Sequence, residues 1–129
     1  FAEKISINLQ KIEFINQIPH KEVVAHLQKS DVFVLFSNYE NLPCVILESF
    51  DCGVPVIATN VGGISEFFPK EFGSLIPPKD ENALLNNILK IHRNFKPDKK
   101  AMHTYVVENF SENKILKKFE KLYIKSLKA

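Results

Sequence analysis

The sequence predicts an α/β domain: a Rossmann-like parallel sheet with helices on both faces. Short, continuously apolar runs alternate along the chain with longer segments of helical periodicity. Continuous apolar runs are typical of strands that are buried on both faces. The segments between them are long enough for the crossover helices that parallel neighbouring strands require. Together these observations favour a layered β-α-β arrangement.

Four segments carry the strand signal. The run VFVLF contains no polar residue, so we expect a strand that is covered on both faces. The run GSLI is shorter and closes the series. In chain order the predicted strands occupy residues 11–16 (KIEFIN), 32–36 (VFVLF), 54–59 (VPVIAT) and 73–76 (GSLI).

The first two predicted helices begin at prolines. Pro19 opens a helical pattern between the first two predicted strands. Pro43 fits the first turn of a helix, where its missing N–H is not needed. This second helix should stop at Gly53, because glycine is the usual residue just past a helix C-terminus.

Three further helices complete the chain. Asp80 is placed to cap one of them, Pro97 starts a second that ends near Phe110, and Ser111 caps the last. In this last helix the apolar residues, Phe119 and Tyr123 among them, are spaced as an amphipathic stripe. We therefore predict a single domain over residues 1–129, with residues 97–129 forming extra terminal helices.

Composition narrows the classes of function. At 129 residues and 45% hydrophobic content the chain is a folded domain or part of one. No apolar run approaches the roughly 20 residues of a membrane span. Residues 96–129 hold nine lysines against four acidic residues. A solvated helix face is the favoured explanation of this charge, ahead of binding to anionic lipid or nucleic acid.

Cysteine and histidine give no metal signature. Cys44 and Cys52 form no C-x-x-C pair, and the four histidines are scattered. We expect a reduced, cytoplasmic protein that uses both cysteines as small buried residues. The sequence has neither a signal peptide nor an initiator Met, so we expect its N-terminus to be a fragment edge.

Two carboxylates are the strongest candidates for a binding site. Glu40 lies in the loop after VFVLF, and Glu48 lies about one and a half turns into the following helix. We expect both side chains to face one cleft, because ligands of parallel α/β domains collect at such junctions. Carboxylates accept hydrogen bonds from paired hydroxyls, and free N–H groups at the helix start favour an anion. By spacing alone, two alternatives stay open: the glutamates stabilise the helix start, or they stay solvated.

A second candidate is the Gly62-Gly63 pair after VPVIAT, followed by a predicted short helix over residues 64–68. Adjacent glycines permit positive φ and a close approach of the backbone to a ligand. They are also ordinary turn residues. Glu66 offers a further carboxylate, for which a role in local structure is at least as good an explanation.

The motif E-N-L-P-C-V-I-L-E-S-F-D-C-G-V-P-V-I-A-T-N-V-G-G-I-S-E resembles the nucleotide-binding signature of the group 1 glycosyltransferases. The family pattern is E-x7-E, a helix closing on C-G-x-P-V, a strand and G-G-x-x-E. The upstream segment also resembles the family through Ser30-Asp31-Val32 and Ser37, and the likeness spans roughly residues 11–94. It implies part of the C-terminal, donor-binding domain of a retaining, metal-independent GT-B enzyme.

The resemblance assigns roles to individual residues. Glu48 matches the glutamate that binds the ribose hydroxyls. Glu40 matches the one that contacts the donor sugar, which also makes it the candidate catalytic residue. Backbone amides of Asn41, Leu42 and Cys44 match those that approach the sugar and diphosphate. The family has no established enzymic nucleophile, and the leaving diphosphate is thought to help activate the acceptor hydroxyl.

Val45 belongs to the segment 41–45 on which the choice of donor depends, and Gly62 and Gly63 fall at the family's Gly-Gly turn. Asn41 stands where the family often has Gly. The basic Arg/Lys pair that binds the diphosphate in the family has no counterpart here, and we expect the acceptor-binding domain to lie outside this sequence. We therefore expect this chain to be inactive alone.

The function implied is transfer of a hexosyl or N-acetylhexosaminyl group from a nucleotide-diphosphate sugar to a glycan or lipid-linked acceptor, as in polysaccharide biosynthesis. No cofactor, metal or nucleic acid is expected. The expected cytoplasmic location includes the inner face of the membrane, which the full protein would contact peripherally. The alternatives are a sugar-nucleotide epimerase of similar fold and a non-catalytic nucleotide-binding module. Similar motifs serve several nucleotides in the family, so they do not indicate the sugar, the base, the acceptor or the linkage.

Overall fold

The computed structural model describes residues 12–128 of the chain. It contains three strands and five α-helices, and two single-turn 3₁₀ helices separate the second and third strands. The bounds are α1 His20–Gln28, β1 Phe33–Leu35, α2 Cys44–Asp51, β2 Val56–Thr59, the 3₁₀ helices Ile64–Glu66 and Lys70–Phe72, β3 Gly73–Ile76, α3 Glu81–Asn94, α4 Lys99–Phe110 and α5 Glu112–Leu127.

The strands form one parallel sheet in the order β1-β2-β3. Val34 of β1 pairs with Ile57 of β2, which in turn pairs with Ser74 of β3. The predicted parallel sheet is confirmed, and β3 has the predicted bounds. All four residues of β2 are buried, as expected of a central strand.

Residues 32–36 do contain a strand, but the prediction that this strand is covered on both faces is wrong. Val34 and Phe36 each keep 37% of their surface exposed. In the part of the chain that the structure describes, β1 is an edge strand, hydrogen-bonded to β2 alone. An edge strand has packing neighbours on one side only, so an apolar sequence does not secure full burial.

The predicted strand at residues 11–16 is not found over the part that the structure describes. Residues 12–16 are irregular, and Phe14 is 83% exposed. A strand needs a hydrogen-bonded neighbour, and no neighbouring strand for this segment lies within residues 12–128. Lys11 lies outside the described residues.

Helices pack against both faces of the sheet, as predicted. Successive strand residues point to opposite faces. Val56 and Ala58 therefore join one core cluster, whereas Ile57 joins the other. The first cluster is rich in aromatic rings, with Phe50 edge-on to Phe68 and to Phe72 at 5.3 Å. It is built chiefly by Ile46, Phe50, Phe67, Phe68, Phe72 and Met102, whereas Ile76 and Ile91 join Ile57 in the second.

The structure confirms some of the predicted helix ends and corrects others. The Asp80 carboxylate accepts a hydrogen bond from the Ala83 N–H at 2.8 Å, which confirms the cap of α3. Helix α4 begins two residues after Pro97, because Asp98 is its N-cap and accepts from Ala101 at 2.9 Å. Ser111 does occupy the N-cap of α5, but its hydroxyl makes no capping hydrogen bond. Gly53 follows α2 with φ of +70°, as its place past a C-terminus requires.

Helix α5 presents its apolar stripe to solvent. No residue of α5 is buried, and Phe119 and Tyr123 are 57% and 70% exposed. Both rings therefore lie outside the core. Within residues 12–128, no helix combines the length and the apolar character needed to cross a membrane.

Candidate functional site

The candidate residues lie at one edge of the sheet. The Glu40 loop leaves the carboxyl end of β1, and the Gly62-Gly63 turn leaves the carboxyl end of the neighbouring β2. In a parallel sheet these ends meet at the same edge, where α/β domains bind their ligands. The two sequence candidates are therefore brought together by strand pairing.

Two hydrogen bonds through Ser37 connect Glu40 to the end of β2. The Ser37 hydroxyl donates to Glu40 Oε1 at 2.7 Å. The buried hydroxyl of Thr59, the last residue of β2, donates to the Ser37 carbonyl at 2.6 Å. Two short contacts thus tie the half-buried Glu40 to the end of the central strand. Ser37 and Thr59 both lie in segments that resemble the family, but the sequence did not indicate that either residue holds Glu40.

Gly62 supports the same loop through its backbone. It has φ of +56°, and a Cβ atom built on it would lie 1.9 Å from the carbonyl oxygen of Glu40. Glycine is therefore required for two reasons, its backbone conformation and the space beside Glu40. At Gly63 the nearest atom to such a Cβ, the carbonyl oxygen of Asn41, is 3.6 Å away, an ordinary contact. The pair is thus asymmetric, which its sequence does not reveal.

The N-terminus of α2 is open. Its N-cap is Pro43, which offers no capping side chain, and its first turn contains no acidic residue. The Ile46 N–H donates to the Pro43 carbonyl at 3.1 Å. The residues before and at the helix start, Asn41, Leu42 and Cys44, are exposed, and Val45 is half-buried. Backbone N–H groups at such an end, together with the helix dipole, can receive an anion.

Glu48 has a partner that the sequence did not indicate. Its Oε1 lies 3.0 Å from Nε2 of His20, the first residue of α1, and the Glu48 side chain is 32% exposed. The two residues are 28 positions apart, so neither periodicity nor motif spacing could have revealed the contact. His20 joins the site as an additional candidate.

A cavity of about 350 Å³ lies beside Glu48. Helices α2 and α4 form its walls, and apolar side chains alternate there with Glu48 and Asp51. Glu40 is not among the residues that line it. That both carboxylates face one cleft therefore stays a prediction. The lining residues are Cys44, Leu47, Glu48, Asp51, Val106, Val107, Phe110 and Ser111.

The two cysteines differ from the expectation that both are buried. Cys44 is exposed because it is the first residue of α2, at the open end of the helix. Cys52 is partly buried, and this burial, with smaller effects of the Asp51 and Glu48 charges, raises the pKa of its thiol. A raised pKa disfavours the reactive thiolate, so Cys52 is not a candidate nucleophile.

Two features remain, the Glu66 carboxylate and the arrangement of the residues that could bind a metal. Glu66 is exposed at the end of a 3₁₀ turn, and the predicted short helix at residues 64–68 is this single turn. Within residues 12–128, no cluster of three or more His, Cys, Asp or Glu side chains is arranged to hold a metal ion.

Comparison with known proteins gives one consistent result. The model of the family described as glycosyl transferases group 1 matches residues 3–121. A Vi polysaccharide biosynthesis protein of Salmonella typhi is 46% identical over 67 residues, covering 52% of this chain and 11% of that protein. An Escherichia coli UDP-Gal:alpha-D-GlcNAc-diphosphoundecaprenol alpha-1,3-galactosyltransferase is 33% identical over 101 residues, covering 76% of this chain and 26% of the enzyme.

A solved structure is similar over nearly the whole chain. A sucrose-phosphate synthase from Thermosynechococcus elongatus superposes with a TM-score of 0.84 at 30% identity, covering 98% of this chain and 32% of that one. The chain thus spans between about a tenth and a third of the length of the proteins it matches.

Proposed function

This chain belongs to the group 1 glycosyltransferases and has the GT-B fold, and from that premise we propose that it forms the donor-binding part of a retaining glycosyltransferase. The proposed reaction moves a hexosyl or N-acetylhexosaminyl group from a nucleotide-diphosphate sugar to a glycan or lipid-linked acceptor. The observation that carries the proposal is the E-x7-E motif placed across an open helix start at the ligand-binding edge of the sheet.

Each part of the junction suits one part of such a donor. Glu48 accepts hydrogen bonds from the ribose hydroxyls. Glu40, which Ser37 orients in advance, accepts hydrogen bonds from hydroxyls of the sugar. The amides of Asn41, Leu42 and Cys44 face the diphosphate, and Val45 borders it. In this arrangement Gly62 shapes the Glu40 loop, and Gly63 leaves room for the ligand.

Charge stabilisation is the proposed source of catalysis in this part of the enzyme. Negative charge grows on the diphosphate as the bond to the sugar breaks. The free N–H groups and the dipole at the start of α2 are fixed in place to receive it. Glu40 would act on the reacting sugar, and the proposal requires neither a metal nor another cofactor.

The acceptor is supplied from outside this chain in our proposal. The name of the Escherichia coli relative specifies a sugar on diphosphoundecaprenol as acceptor, and that of the Salmonella relative specifies polysaccharide biosynthesis. A cytoplasmic enzyme working at the inner face of the membrane on a glycan or lipid-linked acceptor is consistent with both. The comparisons favour this transferase over a sugar-nucleotide epimerase.

Calorimetric titration of the intact protein tests the assignment of the two carboxylates. We expect Glu48→Gln to weaken binding of uridine, guanosine or adenosine diphosphate by about tenfold, because a neutral amide replaces the charged acceptor of the ribose hydroxyls. Glu40→Gln should leave the affinity for the diphosphate within about twofold but lower turnover of the sugar nucleotide, since Glu40 contacts only the sugar.

Asp51→Asn is the matched control, because Asp51 lies one turn after Glu48 on α2 and has no assigned role in binding the donor. It should leave both measurements unchanged. Undiminished diphosphate binding by Glu48→Gln would show that the ribose assignment is wrong. Absence of binding by the unaltered intact protein would contradict the proposed function itself.

A further inference from the structure

We propose that His20 is a positioning residue that orients the Glu48 carboxylate for the ribose hydroxyls of the donor; the inference rests on the proposed function. His20 is the first residue of α1, and Glu48 lies in the second turn of α2. Their contact, Nε2 to Oε1 at 3.0 Å, joins two helices whose sequences are separated by β1 and the Glu40 loop.

The direction of this hydrogen bond follows from the chemistry of the two groups. An ionised carboxylate only accepts hydrogen bonds, so the proton must lie on Nε2 of His20. Donation from Nε2 is available to both the neutral and the protonated ring. The imidazole therefore acts as a fixed donor to one oxygen of Glu48.

The contact leaves enough acceptor capacity for a diol. A carboxylate has about four lone-pair sites, and His20 occupies one of them. About three sites remain, including both on Oε2, for the two hydroxyls of a ribose. His20 and a ribose can thus bind Glu48 at the same time. The imidazole fixes the rotation of the carboxyl group that the hydroxyls must meet.

Exposure argues that the contact does not serve packing. The His20 side chain is 69% exposed, and Glu48 is 32% exposed. Exposed pairs of this kind contribute little to folding stability. Without a partner, a glutamate side chain samples several rotamers, and fixing it costs entropy when a ligand binds. Holding Glu48 in advance lowers that cost, which is a role in binding rather than in folding.

The chain offers a matched control pair on the same helix. His103 Nδ1 lies 2.7 Å from Asp51 Oδ1, and these side chains are 58% and 49% exposed. Asp51 follows Glu48 by one turn of α2. This second histidine–carboxylate pair resembles the first in chemistry and exposure but involves no residue assigned to the donor. Removing the His103–Asp51 pair therefore measures how the loss of an exposed histidine–carboxylate pair alone affects nucleotide affinity.

The test compares ribonucleoside and 2′-deoxyribonucleoside diphosphates. Calorimetry on the intact protein measures Kd for uridine and guanosine diphosphates and their 2′-deoxy forms. The variants are His20→Gln, His20→Asn, His103→Gln and Glu48→Gln. A glutamine amide nitrogen can replace Nε2 as donor, whereas that of asparagine is too short to reach it. The ratio of the two affinities is informative, because a general loss of structure would weaken both ligands alike.

We expect the unaltered protein to prefer the ribonucleotide and His20→Asn to reduce that preference about fivefold, a fraction of the effect of losing a charged hydrogen bond. His20→Gln should retain it within about twofold, and His103→Gln should match the unaltered protein. An unchanged preference in His20→Asn, alongside a lost preference in Glu48→Gln, would overturn the role of His20 and leave the proposed function standing.

Tighter ribonucleotide binding by His20→Asn would also overturn the inference, since His20 would then compete with the ribose. If the unaltered protein binds none of the diphosphates, the proposed function fails and this inference fails with it. The result for the unaltered protein and the result for Glu48→Gln therefore distinguish the two kinds of failure.

Discussion

The starts of helices α2, α3 and α4 are built in two different ways. Helices α3 and α4 are completed by the residue just before them, since Asp80 and Asp98 each accept a hydrogen bond from a first-turn N–H. Helix α2 has neither a capping side chain nor an acidic residue in its first turn. It is the one helix within residues 12–128 that lacks both.

What surrounds the start of α2 comes instead from distant parts of the chain. Thr59 and Gly62, from the end of β2 and the turn after it, shape the Glu40 loop, and His20 of α1 contacts Glu48. A capping aspartate occupies one of the N–H groups at a helix start, and its charge repels an anionic ligand. Distant support fixes the shape of the α2 junction, and no capping side chain occupies the N–H groups of its first turn. The difference separates a helix start made for folding from one suited to binding.

Removing the distant support should have the largest effect. Gly62→Ala forces a side chain into a positive-φ position and against the Glu40 carbonyl, so we expect unfolding to become easier by about 3 kcal/mol. Because the strain falls on the Glu40 loop, binding of a nucleotide-diphosphate sugar should also be lost. Urea denaturation and calorimetry of the intact protein measure the two effects.

Gly63→Ala is the control for this change, because its new methyl group would meet only ordinary contacts. It should alter the free energy of unfolding by less than about 1 kcal/mol. Equal effects of the two alanines would show that the Glu40 loop does not depend on Gly62, and the contrast with α3 and α4 would lose its basis.

Giving α2 a local cap should have the next largest effect, and mainly on binding. In Pro43→Asp the new carboxylate can accept from a first-turn N–H, which contributes about 1 kcal/mol, while loss of the proline offsets about 0.4–1 kcal/mol. Stability should therefore change little. The affinity for a nucleoside diphosphate should fall about tenfold or more, because the cap occupies an N–H group and repels the anion.

Two further variants separate the effect of losing the proline from the effects of the new cap and its charge. Pro43→Ala removes the proline without adding a cap, and we expect its affinity to stay within about twofold. Pro43→Ser adds a neutral cap, so its affinity should lie between those of the alanine and aspartate variants. If Pro43→Asp binds the diphosphate as tightly as Pro43→Ala, the α2 start is not the anion site.

The same contrast explains what the sequence could predict. The Asp80 cap and the end of α2 at Gly53 depend on neighbouring residues, and both were predicted correctly. The burial of β1 and the irregular course of residues 12–16 depend on which segments pair in space, and both were predicted wrongly. An apolar pattern gives strand propensity, but a strand forms only beside a partner.

The candidate site divides along the same line. Glu40 and Glu48 were selected as candidates by their spacing and by the family motif, which are local features of the sequence. The contact of Glu48 with His20 joins residues 28 positions apart, and the different surroundings of Gly62 and Gly63 arise only when the two loops meet. Sequence reasoning thus proposes which residues bind, whereas the structure is needed to find what holds them in position.

Removing the local caps should have the smallest effect and should spare the site. Asp80→Ala and Asp98→Ala each lose one hydrogen bond to a first-turn N–H, which should lower the free energy of unfolding by about 1 kcal/mol. Nucleoside diphosphate affinity should stay within about twofold, because each carboxylate is hydrogen-bonded to the first turn of its own helix. Asp80→Asn and Asp98→Asn are the controls, since asparagine also caps helices and should restore most of the stability. A marked loss of affinity in either alanine variant would mean that the two kinds of helix start are coupled, and the separation between folding and binding would then be wrong.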